Sequence, residues 1–158
     1  MNFEHLVIVN EPSNPLIQNL SREDLWFGLL CRVEEPSLFL PGLERCTILS
    51  RAETSLAREL HFGQAVIRDR VRLVPMSSVT FESDRTDEHA GGSLTISIEE
   101  PEPDALMLRF VYRTTLPDGE GADGRYAGFV RSAYHESDLD TVRVIRRLLA
   151  DSERPDPH

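Results

Sequence analysis

Hydrophobic and polar residues alternate along most of the segment from residue 43 to residue 115, which is the pattern of half-buried β-strands. The clearest case is a segment in which Leu94, Ile96 and Ile98 share one face and polar residues occupy the other. We predict strands at residues 3–10, 43–50, 55–62, 65–74, 78–83, 93–99 and 106–115. Because no helical segment separates the last six strands, we expect an antiparallel sheet and an α+β fold.

Two segments have helical spacing instead. The first helix is predicted to begin at Ser21, whose side chain can cap it, and Asp24 lies three positions on, where a capping box is completed. Pro36 ends this helix, and the sequence "PSLFLPG" follows as a second short helical turn or a loop. A long C-terminal helix is predicted from about Arg125 to Asp151.

One face of the long helix is unusual at its centre. Aromatic and apolar residues form a stripe along it: Tyr126, Val130, Ala133, Tyr134, Val144, Ile145 and Leu148. Ser137 and Thr141 lie midway along this stripe, where larger side chains normally fill space. One interpretation is that these small side chains leave a gap in the helix face, which forms the roof of a cavity. The other is that they hydrogen-bond to carbonyls one turn earlier and pack tightly.

The chain shows no internal repeat and no linker that would divide it. We therefore expect one domain over residues 1–151 and a frayed tail at residues 152–158. A long, curved antiparallel sheet with a helix laid across it can enclose a cavity.

The predicted hairpin at residues 55–74 contains a charge on its inward face. Gly63 and Gln64 fit a two-residue primed turn, and this turn fixes which residues face each other. Arg58 then pairs with Asp69 among apolar neighbours, while Glu59 pairs with Arg68 on the outer face. Removing both inner ions from water costs several kcal/mol each. The inner pair is thus interpreted as a polar spot on the wall of a partly wet cavity, or as a structural ion pair at the rim of the sheet.

Aromatic hydroxyls are available to the same wall. Tyr112 on the last predicted strand and Tyr134 on the long helix are candidates, although buried tyrosines usually just place the hydroxyl on a protein partner. The candidate ligand-binding residues are Arg58, Asp69, Phe110, Tyr112, Val130, Tyr134, Ser137 and Thr141.

Net charge excludes several classes of partner. The formal charge is −10 with a pI of about 4.9, which argues against nucleic acid and anionic membranes as partners. The 17 basic residues are all arginine, so a Schiff-base lysine and a lysine-bearing phosphate loop are absent. No apolar run reaches the length of about 18 residues that a membrane span needs, and the N-terminus lacks signal-peptide features. A cytoplasmic location is expected.

Motifs for metal or cofactor chemistry are missing. The five histidines form no metal-ligating spacing, and neither a GxSxG elbow nor a GxGxxG loop after a strand occurs. Cys31 and Cys46 lie apart and are expected to be reduced and structural. We expect no cofactor and no metal, and the sequence assigns no catalytic residue.

Six segments carry a resemblance to a known family: "LWFGLLCRVEEPSLFLPGLERC", "RELHFG", "RDRVRLVP", "GGSLTISIEEPEP", "LRFVYRT" and "AYHESDLDTVRVIR". In this order they resemble the AtaL-like proteins of the START-like, birch-pollen-allergen-like (SRPBCC) superfamily. The resemblance implies a helix-grip fold, with a seven-stranded antiparallel sheet around the C-terminal helix and two short supporting helices after the first strand. It also implies a cavity between sheet and helix, but it supplies no catalytic residues.

Three functions are left open. The leading expectation is a protein that binds a small lipophilic or aromatic molecule in the cavity. The alternative is an aromatase/cyclase-like enzyme, in which Asp69 would act as acid or base and Arg58 would hold an anion. A third is an interaction module, such as a homodimer formed through an exposed strand edge.

Overall fold

The computed structural model describes residues 2–85, 91–114 and 122–152, with side chains described from residue 132 to residue 151 in the last segment. Its strands are β1 (Asn2–Ile8), β2 (Arg45–Arg51), β3 (Ser55–Phe62), β4 (Ala65–Val74), β5 (Ser78–Ser83), β6 (Gly92–Glu99) and β7 (Met107–Thr114). Its helices are α1 (Arg22–Glu34), a single 3₁₀ turn (Pro36–Leu38) and α2 (Ala122–Ser152).

The strands form one antiparallel sheet in the order β1-β7-β6-β5-β4-β3-β2. From β2 to β7 each strand pairs with its neighbour in sequence, as the hairpin spacing predicts. The first strand pairs instead with the last, so that Phe3 faces Tyr112 and His5 faces Phe110. The predicted α+β class and the curved seven-stranded sheet with a long C-terminal helix are confirmed.

The first helix begins as its sequence predicts. The amide of Asp24 donates to the Ser21 hydroxyl at 3.0 Å, and the Ser21 amide donates to the Asp24 carboxylate at 3.3 Å. These reciprocal bonds satisfy two amides that the first turn leaves free. The segment after Pro36, predicted as a turn or a loop, is a 3₁₀ turn.

The hairpin register is confirmed. Arg58 faces Asp69 and Glu59 faces Arg68 across β3 and β4. On the outer face the Arg68 Nε lies 3.1 Å from the Glu59 carboxylate. Gly63, at the turn, has a φ of 60°, a conformation that glycine adopts without steric cost.

The core lies between the sheet, α1 and α2. Fully buried side chains from both helices and from the central strands form it: Leu25, Leu29, Val33, Val71, Val79, Ile96, Leu108, Phe110 and Ile145. At the crossing of the helices, a Cβ atom added to Gly28 would lie 2.5 Å from the Cγ2 of Ile145. Glycine at this position therefore allows the two helices to approach closely.

The buried face of α2 differs from the predicted stripe. Among the side chains described in α2, the buried ones are Asp138, Thr141, Val142, Ile145 and Leu149. Ala133 is exposed, so its assignment to the buried stripe is wrong. The other described members of the stripe, Tyr134, Val144, Ile145 and Leu148, are buried or pack against the core. The hydrophobic pattern omitted Asp138 because it does not count a carboxylate as a buried residue. The side chains of Tyr126 and Val130 lie outside the described residues.

No helix in the described part of the chain is long and apolar enough to cross a bilayer.

Candidate functional site

A cavity of about 300 Å³ lies between the sheet, the C-terminal end of α1 and the middle of α2. Most of its described wall is apolar or aromatic: Leu40, Leu60, Phe62, Ile67, Phe81, Leu94, Tyr112 and Tyr134. Its charged residues are Arg32, Arg58 and Asp69. A cavity of this size with few polar groups matches the lower end of small-molecule sites.

Arg58 and Asp69 form a bidentate ion pair on this wall. The Arg58 Nε donates to one carboxylate oxygen at 2.9 Å and Nη2 donates to the other at 2.5 Å. The remaining nitrogen, Nη1, donates to the carbonyl of Val33 in α1 at 2.9 Å. Arg58 is 2% exposed and Asp69 is 5% exposed, so each charge is compensated almost entirely by the other.

Arg32 places a second guanidinium on the wall, and this one forms no ion pair with a described residue. The side chain extends from the last turn of α1 and is 6% exposed. Its Nε is buried without a hydrogen-bond partner in the described structure. Burial is the main reason that the pKa of Arg32 is lowered.

Phe81 connects the two guanidinium groups. The central carbons of Arg32 and Arg58 each lie 5.2 Å from the centroid of its ring. Cations at this distance are attracted by the electron-rich face of an aromatic ring. Phe81 therefore stabilises both positive charges and restricts their positions on the cavity wall.

Tyr112 connects the wall to a buried carboxylate. The Tyr112 hydroxyl donates to Oδ1 of Asp138, and Nδ1 of His5 lies 2.8 Å from Oδ2 of the same residue. Asp138 is fully buried, whereas the His5 side chain is 16% exposed. The three residues thus form a hydrogen-bonded chain from the partly exposed imidazole to the cavity wall.

Aromatic rings surround this chain. The rings of Phe3 and Tyr112 are stacked with centroids 4.9 Å apart, and Tyr134 of α2 lies 4.6 Å from Tyr112. The imidazoles of His5 and His135 have centroids 4.7 Å apart. These contacts hold Tyr112 between β1 and α2, and they give this side of the cavity flat, polarisable surfaces.

Burial raises the pKa of two of these residues, Asp138 and Tyr112. It raises the pKa of Asp138, an effect that the hydrogen bonds from Tyr112 and His5 only partly offset. Burial also raises the pKa of Tyr112, and the neighbouring Asp138 adds to this effect. The tyrosine therefore remains a hydrogen-bond donor, and Asp138 accepts a proton more readily than an ordinary aspartate.

We expect Asp138 to make stability depend on pH with a defined sign. Because its pKa is raised by folding, the folded chain holds more protons than the unfolded chain at pH values above the ordinary value of 3.8. The unfolding free energy of the wild type relative to Asp138→Asn should fall as pH rises from 3.8 and become constant above the folded-state pKa. Urea titrations from about pH 3 to about pH 6 measure this difference. A difference that is constant or rises with pH would contradict the assignment.

The structure places four of the eight sequence-predicted site residues on the described cavity wall. Arg58, Asp69, Tyr112 and Tyr134 lie on the cavity wall. Phe110 is fully buried in the core, and the Thr141 hydroxyl donates to the carbonyl of Ser137 at 3.1 Å, which is the back-bonded alternative. The described residues of the wall do not include Phe110, Ser137, Thr141 or Val130. A ligand contact for any of the eight stays a prediction.

Sequence reasoning missed Arg32, Asp138 and His5. Arg32 continues the helical spacing of Leu25 and Leu29, so a charge within the apolar stripe of α1 was the available signal. Asp138 carried no comparable signal, since its partners come from β1 and β7.

A protein-family model described as "AtaL: Acetylaranotin biosynthesis cluster protein L" matches residues 7–152. The chain belongs to the AtaL family. The match to the family model confirms the resemblance found in the sequence. No curated protein matches the sequence.

Solved structures show the same fold at low sequence identity. The di-domain ARO/CYC StfQ of the steffimycin biosynthetic pathway has a TM-score of 0.68 at 13% identity, over 91% of this chain and 49% of StfQ. The Zhui aromatase/cyclase from Streptomyces sp. R1128 has a TM-score of 0.63 at 16% identity, over 99% of this chain and 98% of Zhui. Ara h 8.0201 has a TM-score of 0.60 at 9% identity, over 96% of this chain and 98% of that protein. The AtaL chain spans about half the length of the di-domain protein, and its fold is the helix-grip fold.

Among the described residues, no cluster of three or more histidine, cysteine or acidic side chains is arranged to hold a metal ion.

Proposed function

We propose that this AtaL-family protein binds a small hydrophobic or aromatic molecule in the cavity between sheet and helices. The observation that carries the proposal is the cavity itself, about 300 Å³ in volume with a mainly apolar and aromatic wall. Burying an apolar ligand there releases the water that contacts both surfaces, and this release drives binding. The polar groups of the wall would then orient the ligand.

A second candidate function is an aromatase/cyclase-like reaction in the same cavity. The observation that favours it is the hydrogen-bonded chain of Tyr112, Asp138 and His5, which could exchange a proton with a bound substrate. Asp69 is less suited to this role, because Arg58 occupies both of its carboxylate oxygens. Two structural neighbours are described as aromatase/cyclases, which is consistent with this alternative.

We expect a bulky side chain inside the cavity to weaken ligand binding. Ile67→Trp places an indole on the cavity wall, whereas Val66→Trp, one position earlier, places the same group on the outer face, where Val66 is 42% exposed. The inner variant should weaken binding of phenylnaphthylamine, a neutral hydrophobic fluorophore, by at least about tenfold, and the outer variant should not. Fluorescence titration of the three proteins measures the effect.

Native mass spectrometry of the protein purified from its own host tests the same cavity without an added probe. A co-purified small molecule should be present in the wild type and in Val66→Trp but absent from Ile67→Trp. Equal retention by both variants would contradict the proposed site. A bound molecule of constant mass during incubation supports simple binding, whereas loss of water from it supports the cyclase-like alternative, because aromatising cyclisation releases water.

A further inference from the structure

We propose that the ligand is a small hydrophobic acid and that Arg32 binds its carboxylate or other oxyanion. This inference rests on the proposed function, since it names the class of molecule that the cavity takes. It arises from a difference between the two arginines on the wall: Arg58 is paired with Asp69, whereas Arg32 has no ion-pair partner among the described residues.

The two guanidinium groups on the cavity wall differ in their hydrogen bonds. Arg58 directs Nε and Nη2 at Asp69 and Nη1 at the carbonyl of Val33, so each of its three nitrogens already donates a hydrogen bond. Arg32 forms no ion pair with a described carboxylate, and its Nε is buried without an acceptor. A buried donor without an acceptor costs free energy. Because Nε has almost no accessible surface, a ligand would contact the Arg32 guanidinium through the part of the side chain that lines the cavity.

The charged side chains of the described wall do not balance one another. Arg32 and Arg58 contribute two positive charges and Asp69 one negative charge, which leaves one positive charge. Asp138, which is not among the described lining residues, attracts the Arg32 charge at longer range. It forms no ion pair with Arg32, because its two oxygens are bonded to Tyr112 and His5. An anionic ligand would restore neutrality in a place where water cannot fully solvate the cation.

The surroundings of Arg32 combine a positioned cation with an apolar pocket. Phe81 holds the Arg32 guanidinium over its ring, so the cation is positioned before a ligand enters. Apolar side chains, among them Leu60, Ile67 and Leu94, form much of the rest of the pocket. A molecule with one oxyanion and a hydrophobic body complements this arrangement, since guanidinium groups pair with planar oxyanions through two parallel hydrogen bonds.

Two fluorescent probes with nearly the same skeleton test the inference. Anilinonaphthalene sulfonate carries an oxyanion, and phenylnaphthylamine is its neutral counterpart without the sulfonate. The wild type should bind the anionic probe more tightly. Arg32→Met, which keeps much of the side-chain length without the charge, should weaken binding of the anionic probe by at least about tenfold and leave the neutral probe unchanged. Arg32→Lys should retain part of the preference for the anion because it keeps the charge.

A thermal melt of each variant separates recognition from folding. Arg32→Met should melt at the same temperature as the wild type or higher, because it removes a buried charge without a described partner. If Arg32→Met does not fold, Arg32→Gln replaces it in the same titrations. A wild type that binds both probes equally, or a neutral Arg32 variant that loses both probes equally, overturns the inference while leaving the binding function intact. Failure of the wild type to bind either probe contradicts the binding function itself.

Discussion

Asp69→Asn is expected to reduce the free energy of unfolding by about 3–5 kcal/mol, which is the usual cost of removing one partner from a buried ion pair. The substitution keeps the size of the side chain but removes its negative charge. It leaves Arg58, which is 2% exposed, as a second buried guanidinium without a compensating anion. Urea unfolding followed by the fluorescence of Trp26, the single tryptophan, measures the loss.

An exposed ion pair of similar geometry provides the control. Arg51 donates to the two carboxylate oxygens of Glu34 at 2.6 and 2.8 Å, but the two side chains are 53% and 40% exposed. Glu34→Gln should therefore have a much smaller effect, because water solvates the charge that remains. Equal losses for Asp69→Asn and Glu34→Gln would show that burial does not set the strength of the inner pair.

Removal of both buried charges should recover most of the stability. The double variant Arg58→Met with Asp69→Leu replaces the pair by apolar groups of similar size, which is often neutral or stabilising. Recovery in the double variant together with a loss of ligand binding would indicate that the pair serves ligand recognition. Recovery with unchanged binding would indicate a structural pair.

Gly92→Ala is expected to reduce the unfolding free energy by about 3 kcal/mol or more, since backbone strain and a steric clash act together. Gly92 has a φ of 137° at the start of β6. A Cβ atom there would lie 2.3 Å from the carbonyl oxygen of Arg113 and 2.8 Å from the Cα of Thr114. Both atoms belong to the backbone of β7, so they cannot move without disturbing the pairing of the two strands.

Gly63→Ala isolates the contribution of backbone strain. Gly63 also has a positive φ, 60°, but an added Cβ would meet no atom within 4 Å. This control should cost about 1 kcal/mol, the strain of a non-glycine residue in the left-handed region. The same urea titration serves both variants, and equal losses would contradict the clash with β7.

Local sequence determined the elements whose partners are close in the chain. The β3–β4 register follows from the turn at Gly63 and from the pairing of opposite charges on both faces. The capping box of α1 follows from two residues three positions apart. Both were predictable because the interacting groups are separated by a few residues whose geometry the backbone fixes.

Partners that are distant in sequence were not predictable from the same patterns. The β1–β7 pairing joins the first strand to the last, and the packing of α2 against β1 brings His5 within hydrogen-bonding distance of Asp138. Hydrophobic periodicity assigned the inward face of α2 without Asp138, because it does not anticipate that other elements will satisfy a buried carboxylate. Thr141 likewise suggested a gap in the helix face from the sequence, but in the fold it is buried and its hydroxyl donates to the carbonyl of Ser137.

The sequence by itself determined the α+β class, the AtaL-family membership, the consecutive antiparallel pairing from β2 to β7 and the pairing of Arg58 with Asp69. Only the tertiary structure decided which polar groups share the cavity and which of them have partners. It placed Arg32 beside Phe81 on the cavity wall and left its Nε without a described acceptor, whereas it gave the Asp138 carboxylate two hydrogen-bond partners, Tyr112 and His5. The physical reason is that the satisfaction of a buried polar group depends on atoms contributed by several distant segments, whereas secondary structure and register depend on neighbours along the chain.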